Sequence, residues 1–364
     1  MRIHTRSVVA RGLPLFSRLL ILILLWAGGP RARAWDYEGH RLVNLLALGT
    51  LPTNFPSFIR TATARERIAF LSGEPDRWRN TPEAPLRHSN GPDHYFDVDL
   101  LPTFHLDLTQ LSPFRYEFHA QTLAARAKYP SEFPTIDPQT DPDHLRALIG
   151  FLPWTIIEYE ARLKSAFSCL KEFETDGTPD EIRNAQENII YCMGVMGHFV
   201  GDGSQPLHTT KHHHGWVGNN PDRYATNYSI HAWIDGGYFH QFPMDAPELA
   251  ARLRPARSLP DPVPHNAPTN LFAVVLRFLQ EQHLQVEPLY RLEKEGKLAR
   301  TAPRDQEGYV FLAGQLQRGA QMLGDLWLTA WEQAPPDMYL RAALKKRSAT
   351  QAPPAEPQRQ QGTK

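Results

Sequence analysis

Two His-x-x-x-Asp pairs, His198/Asp202 and His231/Asp235, lie in stretches that otherwise have the apolar spacing of buried helices. Residues four apart share one helix face. Each pair therefore turns an imidazole and a carboxylate toward the same side. The first segment also carries Ile189, Ile190, Met193, Val195, Met196, Phe199 and Val200. Ionisable groups on such a face are costly to bury without partners. Whatever fold the chain adopts must satisfy both pairs, either by a His–Asp hydrogen bond or by a shared metal ion.

The surrounding sequence adds nitrogen and oxygen ligands. Gly201, Gly203 and Pro206 end the first helix and turn the chain, so that His208 can return to the same cavity. His208, His231 and Asp235 make a set of three ligands that leaves a fourth position open, the pattern of a catalytic zinc. Upstream stand two candidates, Asp76, in GEPDRWR, and His94, in PDHYFDVD, each of which taken alone reads as a loop acid or a surface histidine. Trp35 and His40 are five apart in WDYEGH. A free amine and the carbonyl of one residue can chelate a metal through a five-membered ring, once the metal competes with the proton. No Ser–His–Asp or Cys–His arrangement and no HExxH motif is evident.

Helix-period spacing predicts helices over Arg41–Leu51, Phe58–Leu71, Tyr116–Ala127, Leu145–Phe173, Asp180–Val200, Ile230–Phe242, Leu271–Leu292 and Tyr309–Trp331. Alternating β runs are absent, and Pro and Gly clusters punctuate the helices. The expectation is an all-α chain with one large domain over 35–335. The Pro/Gln-rich, charged residues 336–364 read as a disordered tail.

Residues 1–34 carry six arginines, no acid, the apolar run LLILILLWA and the ending Ala-Arg-Ala. This reads as a secretory signal cut before Trp35, with an uncleaved anchor as the alternative. The expected location is secreted or periplasmic. In an oxidising compartment Cys169 and Cys192 could form one disulfide or remain two buried thiols. The full chain has zero net charge; without the six leader arginines it has 33 basic and 39 acidic residues, a net of −6. A global basic excess that would announce nucleic-acid binding is missing.

Trp35, His40, Asp76, His94, His198, Asp202, His208, His231 and Asp235, in that order, resemble the motif set of one superfamily. It joins zinc-dependent bacterial phospholipase C with the single-strand nucleases and 3′-nucleotidases of the S-one/P-one type. The resemblance runs from Trp35 to about Asp235. It implies an almost wholly helical fold with a trinuclear Zn²⁺ site in a cleft. One zinc would take Asp76, His94, His198 and Asp202. A second would take the Trp35 amine and carbonyl, His40 and the bridging Asp202. A third would take His208, His231 and Asp235. It further implies phosphoester hydrolysis by a zinc-bound hydroxide, with single-stranded nucleic acid or nucleotides as substrate and no stable protein partner. Phospholipid is the alternative substrate, and a non-catalytic, zinc-stabilised exported protein is the alternative class. An Asp rather than a Glu at position 235 favours the nuclease branch. Arg79 matches a phosphate-contacting arginine, or is a surface residue. Asp97 matches an acid that orients the attacking water, or holds His94.

The loop after His208 departs from the nuclease pattern at His212-His213-His214-Gly215-Trp216 and Gly218-Asn219-Asn220-Pro221. The three histidines read as substrate contacts, an extra metal site or a solvated loop. Asn227-Tyr228-Ser229 is a glycosylation sequon.

Overall fold

The expected helices form because apolar residues recur at helical spacing between strong stop signals. In a computed structural model, which describes residues 35–227, 229–259, 270–301 and 303–351, the secondary structure of those residues is helical, with no strand. The leader, Tyr228 of the sequon and residues 352–364 lie outside them. In chain order the helices are α1 (Tyr37–Thr50), α2 (Ala62–Leu71), α3 (Glu74–Arg79), α4 (Ala84–Asn90), α5 (Arg115–Lys128), α6 (Leu152–Asp176) and α7 (Pro179–Ser204). There follow α8, a run made of Ile230–Ala232, Trp233–Gly237 and Tyr238–Gln241, then α9 (Ala246–Ala251), α10 (Asn270–His283), α11 (Val286–Lys294), α12 (Gln306–Glu332) and α13 (Met338–Gln351).

Helix α7 is the centre of the packing. It lies against α6, α12, α2, α1 and α10. Its start is fixed by a capping box: Thr178 Oγ1 accepts from Glu181 N at 3.3 Å, and Thr178 N donates to the Glu181 carboxylate at 2.8 Å. Pro179 fits the first turn because its missing N–H has no partner there. The two-residue link Gly177-Thr178 folds α6 and α7 back on one another. The core around them holds Trp35, Val43, Trp154, Phe167, Phe199 and Trp327, all fully or almost fully buried.

Close approach of α1, α2 and α7 depends on glycine. A Cβ on Gly194 would lie 2.5 Å from Leu71 Cβ, and one on Gly197 would run into the Asn44 amide. Asn44 uses that proximity, donating to Ile68 O at 2.9 Å and Gly194 O at 3.1 Å. One buried amide thus ties three helices together.

Several boundaries differ from the sequence expectation. Residues 145–151 are not helical: Gly150 has φ +93° and presses against Tyr95, and Phe151 N and Leu152 N donate to Pro92 O and Tyr95 O. The expected 271–292 helix breaks between α10 and α11, because Pro288 offers no N–H to the preceding turn. The expected 58–71 helix is split by Thr61, which caps α2 by accepting from Ala64 N at 3.1 Å. The tail reading is corrected over Met338–Gln351, which is helix and docks on α6. Leu344 is buried, and Arg341 grips Glu172 at 2.7 and 2.8 Å. Its composition is polar because one face of a docked helix meets water. Cys169 and Cys192 are free thiols. Among the described residues no helix is long and apolar enough to cross a membrane.

Candidate metal centre

The C-terminal half of α7 carries His198 and Asp202, both at 0% exposure. Neighbouring segments deliver the other ligands to this pair. His40 comes from the first turn of α1, whose start Asp36 caps by accepting from Gly39 N at 3.2 Å. Gly201 lets the His40 ring lie against α7, and the ring stacks on His198 with centroids 3.9 Å apart. Asp76 and Arg79 share a face of α3. His94 ends the short turn Gly91–His94.

Three groups of ligand atoms converge: His40, His198 and Asp202; Asp76, His94 and His198; His208, His231 and Asp235. The two oxygens of Asp202 divide between neighbours. Oδ2 lies 2.9 Å from His94 Nδ1 and 3.2 Å from His198 Nε2. Oδ1 lies 3.4 Å from His40 Nε2 and 3.8 Å from His208 Nδ1. Such a carboxylate is placed to bridge.

The tautomers are fixed by backbone carbonyls. His198 Nδ1 donates to Ser72 O at 2.6 Å, and His208 Nδ1 donates to His94 O at 2.6 Å. In the neutral rings both Nε2 atoms therefore carry lone pairs. His198 Nε2 then meets His94 Nδ1 at 2.9 Å, and His208 Nε2 meets His231 Nε2 at 3.1 Å. Carbonyl-oriented imidazoles with converging lone pairs are the usual support of a metal site. His208 is positioned by a second bond, Phe96 N to His208 O at 2.9 Å.

Electrostatics agrees. Burial pushes His94 and His231 down to about 3 and His208 down to about 4, and it also lowers His40. These rings are neutral near pH 7, as ligation requires. Burial disfavours the His198 imidazolium too, but Asp202 and Asp76 outweigh it and raise its pKa. Burial works against the Asp202 carboxylate, yet His198 and His208 hold it well below the ordinary range. Burial drives Asp235 well above that range. Several buried atoms are without hydrogen-bond partners: both nitrogens of His40, His94 Nε2, Asp202 Oδ1, His231 Nδ1 and Asp235 Oδ2. Of these, His40 Nε2 and Asp202 Oδ1 face each other at 3.4 Å, an unmet pair that a bound cation would satisfy, and the imidazole and carboxylate set suits Zn²⁺.

The third group sits where α8 widens into the π turn Trp233–Gly237, an irregularity that often marks a functional site. His231 Nε2 lies 2.8 Å from Asp235 Oδ2. Asp36 N donates to Asp235 O at 3.0 Å, so the chain just after Trp35 is stitched to this turn. Trp35 itself is fully buried, donates from Nε1 to Ser204 Oγ at 3.1 Å, and lies beside Gly201 with His40.

Arg79 and Asp97 divide. Arg79 Nε donates to Asp76 Oδ1 at 2.7 Å, and its Nη2 is buried without an acceptor. Burial opposes its charge, but Asp76, Asp202 and Asp235 outweigh that and hold the guanidinium ionised. Asp97 is buried with Oδ1 unpaired, and burial and Asp99 raise its pKa well above the carboxylate range. It lies in none of the three ligand groups.

The three histidines after His208 are half-buried, which excludes a freely solvated loop. His212 stacks on Trp216 at 4.1 Å and lies 3.5 Å from Asp99. The rings of His213 and His214 approach His231 at 6.1 and 5.0 Å. Sequence reasoning missed Gln205. Its Oε1 accepts from Leu207 N at 2.6 Å while its Nε2 donates to Asp235 Oδ1, coupling the end of α7 to the third group. Its place between the helix end and Pro206 was the available signal. Ser72 was also missed; it acts through its carbonyl, which no side chain announces.

No protein-family model, no curated protein and no solved structure matches the chain significantly.

Proposed function

We propose that this protein is an exported, zinc-dependent phosphoesterase that hydrolyses single-stranded nucleic acid and 3′-nucleotides. The observation that carries the reading is the convergence of three His/Asp groups, two of which share His198, while Asp202 Oδ1 lies 3.8 Å from His208 of the third. His40, Asp76, His94, His198 and Asp202 would hold two ions, with the Trp35 terminus as a further ligand after cleavage. His208, His231 and Asp235 would hold the third. Bound zinc supplies Lewis acidity toward phosphoryl oxygens and lowers the pKa of water toward neutrality.

The chain's own groups have defined tasks. Asp202 spans the first two sets of ligands and keeps them in register. Arg79, ionised and with an uncommitted Nη2, offers an N–H to a phosphate oxygen as charge develops there. Gln205 holds Asp235 in its ligating orientation. The metals would concentrate positive charge locally, so the acidic chain balance is compatible with a polyanionic substrate.

The test is metal analysis with a substrate panel on protein that begins at Trp35. Three tightly bound zincs per chain and turnover of single-stranded DNA, RNA or 3′-AMP are expected. A form with residues left ahead of Trp35 should lose zinc and activity while remaining helical. Fewer than two tight zincs would refute the reading. Turnover of phosphatidylcholine alone would transfer it to lipid, and metal without turnover on any of these would leave a structural role.

A further inference from the structure

Asp36 belongs to none of the three His/Asp groups, yet it is bonded to a member of two of them. Its backbone N donates to Asp235 O at 3.0 Å, and its backbone O accepts from His40 N at 3.1 Å. Its carboxylate is divided in the same way. Oδ1 accepts from Gly39 N at 3.2 Å and so starts the helix that carries His40. Oδ2 lies 2.7 Å from Nε2 of His240, which follows Asp235 by five residues in α8. Two polar groups of one residue thus hold α1, and two hold α8.

The packing around Asp36 is tight. A Cβ on Gly236, the residue after Asp235, would stand 2.7 Å from Asp36 Oδ2 and 2.9 Å from Asp36 Cβ, so the π turn reaches this place only with glycine there. Trp35, immediately before, is fully buried, and its ring lies 5.0 Å from that of Phe239 in α8. The Asp36 side chain is itself only 13% exposed. Close-packed contacts transmit displacement rather than absorb it, so a shift of His40 or of Asp235 reaches the other through Asp36. A second link runs through Asp202, whose Oδ1 faces His40 at 3.4 Å and His208 at 3.8 Å. It does not pass through Asp36, so mutation can separate the two.

We propose that Asp36 is a positioning residue that couples the two ends of the metal centre: occupation of the His40 group strengthens metal binding at the His208/His231/Asp235 group, and the reverse. The inference rests on the metal-centre reading above. The effect is the same in both directions because coupling between two binding sites is one shared free energy. A partly filled centre is then the less stable form.

Zinc titration of the metal-free chain beginning at Trp35 tests it, buffered by a chelator and followed by nitrogen NMR of histidine-labelled protein. The ring nitrogens of His208 and His231 report one group, and those of His40 the other. His40→Ala should weaken zinc at the His208/His231/Asp235 group by about fivefold or more, the low end of ordinary coupling. In an Asp36→Ser background the same change should cost at least about threefold less, beyond the scatter of independent sites. Serine still caps α1 but is too short to reach His240 as well. His240→Ala, at a residue 71% exposed, removes the same tie without touching α1 and should act in the same direction. It carries the test if circular dichroism shows that Asp36→Ser does not fold. Equal effects of His40→Ala in the wild-type, Asp36→Ser and His240→Ala backgrounds, with zinc at both groups, would overturn the proposal and leave Asp202 as the link. So would a wild-type background in which His40→Ala leaves the other group unchanged. Zinc at neither group would refute the metal-centre reading and the coupling with it.

Discussion

Gly201→Ala tests the metal-centre geometry at a residue that ligates nothing. A Cβ there would stand 2.8 Å from His40 Nδ1 and 3.2 Å from His40 Cε1, against an ordinary lower limit near 3.4 Å. The ring must therefore move by about 0.6 Å, the shortfall between those distances. It cannot retreat freely, since it is stacked on His198 at 3.9 Å and both rings are fully buried. Overpacking of this kind costs about 1–3 kcal/mol, offset in part by the roughly 0.5–1 kcal/mol that Gly→Ala gains inside a helix. For a domain of this size each kcal/mol moves Tm by roughly 2–4 °C, so metal-free Gly201→Ala should melt several degrees lower. Displacing one ligand should also weaken zinc at the His40 group by about 10–100-fold, the usual effect of disturbing a ligand's support. Differential scanning calorimetry of the metal-free protein and zinc counting after dialysis read the two effects. Gly314→Ala is the control: it lies within α12 with nothing inside 4 Å of the added Cβ. It should gain about 0.5–1 kcal/mol from helix propensity. Unchanged Tm and full zinc content in Gly201→Ala would refute the close approach of α1 to α7.

His231 gives a pH signature. In the folded, metal-free protein it stays neutral down to about 3, whereas the unfolded side chain takes a proton near 6.5. The unfolded state therefore binds more protons between these values, so this contribution is complete above 6.5 and is lost as pH falls toward 3. His231→Gln should flatten the fall of Tm between pH 6.5 and 4, and parallel profiles would count against the buried neutral ring. Gln205→Ala should weaken zinc at the third group by about 10–100-fold and spare the His40 group, which competition with a chelator resolves; equal loss at all groups would contradict it. Removing residues 336–364 should destabilise the protein by at least the burial of Leu344, about 1.5–3 kcal/mol, with zinc content unchanged. A denaturation midpoint equal to that of the full chain would show that α13 does not dock.

The helical class and most of the candidate ligand set were legible in the sequence for one physical reason. A helix places residues four apart on one face, so His198/Asp202 and His231/Asp235 had to act as pairs wherever the chain went. Boundaries were less legible because they depend on contacts between distant segments. Gly150 leaves the helical region against Tyr95, and the polar-looking 338–351 segment becomes a helix only because Leu344, Arg341 and Arg347 find α6 and α7. The same holds for the loop histidines. Three consecutive imidazoles gave no hint that His213 and His214 would crowd His231 while His212 turned to Trp216.

The sequence by itself determined which residue types could meet a cation, through local periodicity that needs no partner. Only the tertiary structure decided which atoms converge where one could bind. The carbonyls of Ser72 and His94 set the imidazole tautomers, and Asp202 divides its two oxygens between neighbours. Those choices rest on hydrogen bonds across more than a hundred residues of chain, which periodicity cannot carry.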